Sequence, residues 1–226
     1  MRCKSLATLV LLLGAFPLAG HHEQPGKPET ETELLMRPVA NLGSSPLSVN
    51  LAIQTAILGS GTAGGAVITQ GCAEPSDSVV RPQGGTLREV LDDIVTADPD
   101  YRWEVKDGVV NLVPVKGVPD LLTLRISVFD SGDATDVRTA ETFLFALPEV
   151  RQREAELGFD RAILGSGLSS GVPGAAPPPG LLNVRLEDVT LLEALNALVR
   201  AHRHGVWLYY ETHCKSNNHF SINFTE

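Results

Sequence analysis

The residues best suited to chemistry sit near the C-terminus: His202, His204, His213 and His219, with Cys214 among them. Imidazole and thiolate are zinc ligands, and a zinc ion with an open coordination position can activate water for hydrolysis. The spacing argues against such a site. His202 and His204 fall at the end of a predicted helix, where positions i and i+2 point in different directions. His213 and Cys214 are neighbours, and on a strand they face opposite sides. No Cys-x-x-Cys or His-x-x-x-His pair exists in the chain, and imidazoles at a helix C-terminus are favoured by the helix dipole without any metal. A metal-binding or hydrolytic secreted protein built on this cluster is therefore the competing reading, and no cofactor is expected.

Two further patterns have the form of active-site motifs without the context. "GLSSG" (Gly167–Gly171) fits G-x-S-x-G with Ser169 as the nucleophile. That elbow needs a helix after it, and the following "VPGAAPPPG" cannot supply one. "GSGTAGG" holds G-x-G-x-x-G at Gly59, Gly61 and Gly64. A phosphate loop needs a strand before and a helix after; here a helical pattern precedes and the strand-like "AVITQ" follows. The hexapeptide "AILGSG" occurs at Ala56–Gly61 and again at Ala162–Gly167. Each copy is read as closing a helix, with Gly59 and Gly165 as left-handed C-terminal caps. No catalytic residues are assigned.

These candidates ride on a larger repeat. At a shift of 104 positions, "VRPQGGTLREVLDDIVTA" (Val80–Ala97) overlies "VRLEDVTLLEALNALVRA" (Val184–Ala201), and Trp103 overlies Trp207. Such self-similarity signals duplication. Thr86 with Glu89, and Thr190 with Glu193, each spell a capping box. Leu87, Val90, Leu91, Ile94 and Val95 recur at helical spacing, as do Leu191, Ala194, Leu195, Leu198 and Val199. "YRWEVKDGVVNLVP" predicts a hairpin turning at Asp107-Gly108, and "VWLYYET" with "HFSINF" predicts its counterpart. Helices are also predicted in "PLSVNLAIQTAIL" and in "DVRTAETFLFALPEVRQREAELGFDRAIL", the latter bent at Pro148. "LLTLRISVFD" predicts a strand linking the halves.

The expected fold class is α+β: two pseudo-repeated βαββ modules, each preceded by an additional helix, with small mixed sheets and helices packed on one face. Residues 1–20 read as a signal peptide, with Arg2 and Lys4 before an apolar stretch. Residues 21–38 read as a flexible linker, 39–116 as the first module, and 117–226 as the second with its linking strand and helix. The formal charge of the 226-residue chain is −9, and loss of Arg2 and Lys4 with the leader makes it more acidic. With no basic stripe, nucleic acid is excluded as a partner, and no stable membrane insertion is expected after cleavage. Cys3 leaves with the leader, so Cys72 and Cys214 remain as a disulfide candidate in an oxidising compartment.

"LLNVRLEDVTLLEALNALVRAHRHGVWLYYE" and "GGTLREVLDDIVTADPDYRWEVKDGVVNLVP" resemble the short N-terminal module shared by secretins and TonB-dependent receptors. The resemblance implies a periplasmic α+β module used for protein–protein contact, and it carries no catalytic signature. Neither an outer-membrane barrel nor a secretin domain is expected from these residues, so the family's whole role is not carried over. The expectation is an exported, non-enzymatic binding module, periplasmic or secreted, whose partner is a cell-envelope protein. It would be reached by strand addition at an exposed sheet edge. Trp103 and Trp207, with the repeated Arg81 and Arg185, are the residues singled out for that contact.

Overall fold

The structure, a computed structural model, describes residues 30–40, 45–71, 78–81, 83–161, 182–202, 205–214 and 218–225. The signal peptide, most of the expected linker, Ser169, Cys72, His204 and the second "AILGSG" lie outside the described residues.

The fold is α+β, with helices packed against mixed sheets. The chain opens with α1 (Glu31–Leu35) and β1 (Pro38–Val39), then runs β2 (Leu47–Ser48), α2 (Val49–Ser60), β3 (Ala63–Gly71), β4 (Val79–Val80), β5 (Gly85–Thr86), α3 (Leu87–Ala97), β6 (Tyr101–Lys106) and β7 (Val109–Pro114). It continues through β8 (Arg125–Asp130), α4 (Val137–Phe145), α5 (Pro148–Glu156), β9 (Phe159–Arg161), β10 (Arg185–Thr190), α6 (Leu191–Ala201), β11 (Gly205–His213) and β12 (Asn218–Thr225). A six-stranded sheet has the order β6-β7-β3-β11-β12-β9. Within each half a hairpin lays its second strand parallel to an earlier strand: β7 on β3, and β12 on β9. A two-stranded antiparallel pair accompanies each half, β2 with β4 and β8 with β10.

The halves meet where β3 and β11 pair in parallel over nine residues, from Ala63↔Gly205 to Gly71↔His213. Side chains alternate across this sheet. Val67, Trp207, Tyr209 and Phe220 point into a core with α4, α5 and α6. Ala66, Ile68, Val110 and Leu208 point into a core with α2 and α3. Each half thus lays its helices on one face, and the two halves use opposite faces. The central strands, covered on both sides, read as nearly continuous apolar runs for that reason.

The local rules act as expected at both capped helices. Glu89 N–H donates to Thr86 Oγ1 (3.3 Å) while Thr86 N–H donates to Glu89 Oε2 (2.8 Å). The Thr190/Glu193 pair repeats this at 3.2 and 2.7 Å. Asp107 (φ 52°) and Gly108 (φ 76°) both occupy the left-handed region that a two-residue hairpin turn requires.

Four expectations are corrected. Part of the 21–38 segment is built rather than free: Thr30 and Glu33 cap α1 with their own capping box, Leu34 and Leu35 are buried, and β1 pairs with β5. The helix in the first "AILGSG" runs on to Ser60, so Gly61 (φ 64°), not Gly59, takes the left-handed cap. The predicted bent helix is two helices, with Pro148 at the first position of α5, where its missing N–H costs nothing. Finally, β8 does not bridge the halves within the main sheet; it pairs with β10.

Candidate functional site

The two tryptophans have equivalent partners and opposite environments. Each indole N–H donates to a residue eleven positions earlier, on the helix of its own half: Trp103 to Asp92 Oδ1 (2.9 Å) and Trp207 to Asn196 Oδ1 (2.9 Å). Trp103 is half-buried, with the Arg88 guanidinium 5.4 Å from its ring centroid. Trp207 is fully buried. It lies flat over β3, where a Cβ on Gly65 would fall 1.9 Å from Trp207 Cε2. Trp207 is therefore not a contact platform, and its role is packing. Arg81 is exposed just past β4. Arg185 opens β10, exposed and 3.7 Å from Glu187. The structure does not bring these four residues together on one surface: Trp207 is in the interior.

Nor, among the described residues, do the C-terminal histidines His202, His213 and His219 form a ligand set. His202 caps α6 just before β11 begins, and is buried. His213 ends β11, and His219 pairs opposite Thr212 on β12. A nine-residue strand is about 27 Å long, so His202 lies at the far end of the sheet from the other two. Among the described residues no group of three or more His, Cys, Asp or Glu side chains is placed to hold a metal ion. Cys214 is disulfide-bonded. The β3–β11 register ends at Gly71↔His213, so Cys214 directly follows the last paired residue of β11.

Two features not legible in the sequence stand out. One is which sheet edge is open. At the β6 end, Arg102, Glu104 and Lys106 alternate along the strand, with Arg102 paired to Glu104. Charges of this kind discourage edge pairing. At the other end, β9 covers β12 only over Asn218–Phe220. Among the described residues, no strand pairs with the outer edge of Ser221–Thr225, a stretch without a charged side chain.

The other is a cleft of about 440 Å³ beyond the carboxyl ends of β7, β3 and β11. On its wall the buried Glu211 accepts a hydrogen bond from Tyr209 Oη, and His213 Nε2 lies 2.6 Å from its other carboxylate oxygen. Burial first, then the Glu211 charge, pushes the Tyr209 hydroxyl far above its ordinary range, so it stays a donor. The signal for this row was the i, i+2, i+4 spacing of Tyr209, Glu211 and His213, which places all three on one face of a strand.

Comparison with protein-family models, with curated proteins and with solved structures finds no match for this chain. No described helix is long and apolar enough to cross a membrane.

Proposed function

We propose that this chain is an exported, non-catalytic binding module of the bacterial cell envelope, which takes a strand from a partner protein onto the outer edge of β12. The observation that carries this reading is the contrast between the two sheet edges. One is blunted by alternating charges, and the other leaves Ser221–Thr225 uncharged and without a strand partner among the described residues. An edge of that kind offers backbone donors and acceptors for strand addition. The signal-like N-terminus, the resemblance to the secretin and TonB-dependent receptor module, and a disulfide at Cys214 all suit an oxidising envelope compartment. In this reading Cys72 is the partner of Cys214, which closes the junction of the halves. Peptide mapping without reductant tests that bond: a Cys72–Cys214 cross-linked peptide is expected, and a Cys3–Cys214 peptide contradicts it.

Photo-crosslinking in intact cells tests the function. A photoreactive side chain at Asn223 is expected to capture one envelope protein reproducibly, whereas one at Arg102 captures none. Proline placed at the outward-facing amides of Ser221–Thr225 abolishes that capture without lowering the melting temperature much, since those amides make no ladder bond among the described residues. Equal capture from both edges, or capture indifferent to proline, contradicts the reading.

A further inference from the structure

The open stretch of β12 has two unlike faces, and the register fixes which residue lies on which. Trp207 pairs with Phe224, and Tyr209 with Ile222. Cross-strand partners share a face of the sheet. Ile222 and Phe224 therefore lie with the two buried aromatics, and both pack against that core. Ser221, Asn223 and Thr225 alternate with them and lie on the α2 side. There Gln54 Nε2 donates to Thr225 Oγ1 (2.6 Å), and Asn50 Nδ2 donates to the hydroxyl of Tyr210 (3.0 Å), the residue paired with Ser221. One row is apolar, and the other is made of amides and hydroxyls.

Strand β9 shows what this edge asks of a neighbour. It pairs in parallel with β12 as far as Phe220. Its Phe159, opposite Asn218, lies on the apolar side and meets the Phe220 ring edge-on, with centroids 5.5 Å apart. Beyond that ladder, Ser221–Thr225 has no outer strand among the described residues. A five-residue strand laid there sets its second and fourth side chains against Ile222 and Phe224. Its first, third and fifth meet Ser221, Asn223 and Thr225. That order reads the same from either end, so it serves a parallel or an antiparallel strand alike. A slip of one residue sets apolar against polar throughout.

We propose that the strand taken up by this edge carries apolar side chains at its second and fourth positions and hydroxyl or amide side chains at its first, third and fifth. This rests on the reading of β12 as a strand-accepting edge, and it adds the chemistry by which that edge selects its partner.

Two peptides of one composition separate the two claims: acetyl-Lys-Thr-Val-Thr-Val-Thr-Lys-amide and its isomer acetyl-Lys-Thr-Thr-Thr-Val-Val-Lys-amide. Neighbouring valines point to opposite faces, so the isomer sets only one of them against the apolar row. Each is titrated into the full chain and followed by NMR at the amides of Ser221–Thr225. The alternating peptide is expected to bind about threefold more tightly, the difference that one apolar cross-strand pair makes. In Ile222→Thr that preference is expected to vanish, with a melting curve to show that the fold is kept. Should that variant fail to fold, the comparison on the parent chain decides alone. Equal affinity of the two peptides for the parent chain, or a preference unchanged in the folded variant, overturns the alternation and leaves strand addition standing. No saturable shift at these amides from either peptide overturns both.

Discussion

The helix–tryptophan pairs of the two halves use one design in two dielectric settings. In the first half, α3 buries four side chains, and its Trp103 reaches Asp92 at the surface. In the second, α6 buries eight, because it lies between the six-stranded sheet on one side and α4 with the β8–β10 pair on the other. Its Trp207 reaches Asn196, also buried. The acceptor differs by one substitution, and physical chemistry fixes which goes where. A carboxylate is hydrated at the surface, whereas in the core an unpaired charge is far more costly than an amide. The same geometry is therefore peripheral in one half and central in the other. The halves also clasp each other: Lys106 of the first bonds Glu193 of the second (2.6 Å), and Gln54 of the first bonds Thr225 of the second (2.6 Å).

That contrast can be broken in order of expected effect. Trp207→Ala is expected to cost about 3–5 kcal/mol and Trp103→Ala about 1 kcal/mol, both read from denaturant unfolding. Equal losses would mean that the environments do not differ. Gly65→Ala drives a methyl into the Trp207 ring and is expected to cost about 3 kcal/mol, whereas Gly71→Ala meets nothing within 4 Å and should be nearly silent. Asn196→Asp is expected to cost about 2–3 kcal/mol at neutral pH. Burial raises the new carboxyl's pKa, so the loss shrinks as pH falls and the group becomes neutral. Asp92→Asn should stay within about 0.5 kcal/mol at any pH.

The smallest effect concerns acid. The hydrogen bond from Lys106, followed by that from the Thr190 backbone, lowers the Glu193 carboxyl from its ordinary 4.5 to about 2. Glu89 is lowered too, by the Thr86 backbone and hydroxyl, and has no lysine. A depressed carboxyl stabilises the fold above its unfolded pKa and loses that contribution as pH falls through the folded one. The Glu193 contribution should therefore be present above about pH 4.5 and fade toward pH 2. Melting curves of Lys106→Met across that window should show a flatter acid limb than those of the parent protein.

How much of this could be read in advance depended on sequence separation. Thr86, Thr190 and the Asp107-Gly108 turn act over two to four residues, and they folded as read. The Thr30/Glu33 capping box had the same form and was missed, because the acidic, proline-containing residues around it read as linker. The β3–β11 junction joins residues far apart in the chain, and periodicity says nothing about which strand pairs with which. Its only local trace was Gly64-Gly65, a glycine pair inside a strand that marks close approach. The first glycine makes room for Ile57 and the second for Trp207. The first "AILGSG" misled within a single turn: its helix runs on through Gly59 to Ser60, and Gly61 takes the left-handed cap. The cleft required strand order as well as sequence, since its residues come together only once β7, β3 and β11 end side by side.

The outer edge of β12 carries the binding proposal, and amide hydrogen exchange measured residue by residue tests it in the free protein. Across Ser221–Thr225, the amides facing β11 should exchange slowly and the alternate, outward amides should exchange quickly. Slow exchange at every one of these positions would contradict it, because the edge would then already be covered and would have no strand to accept.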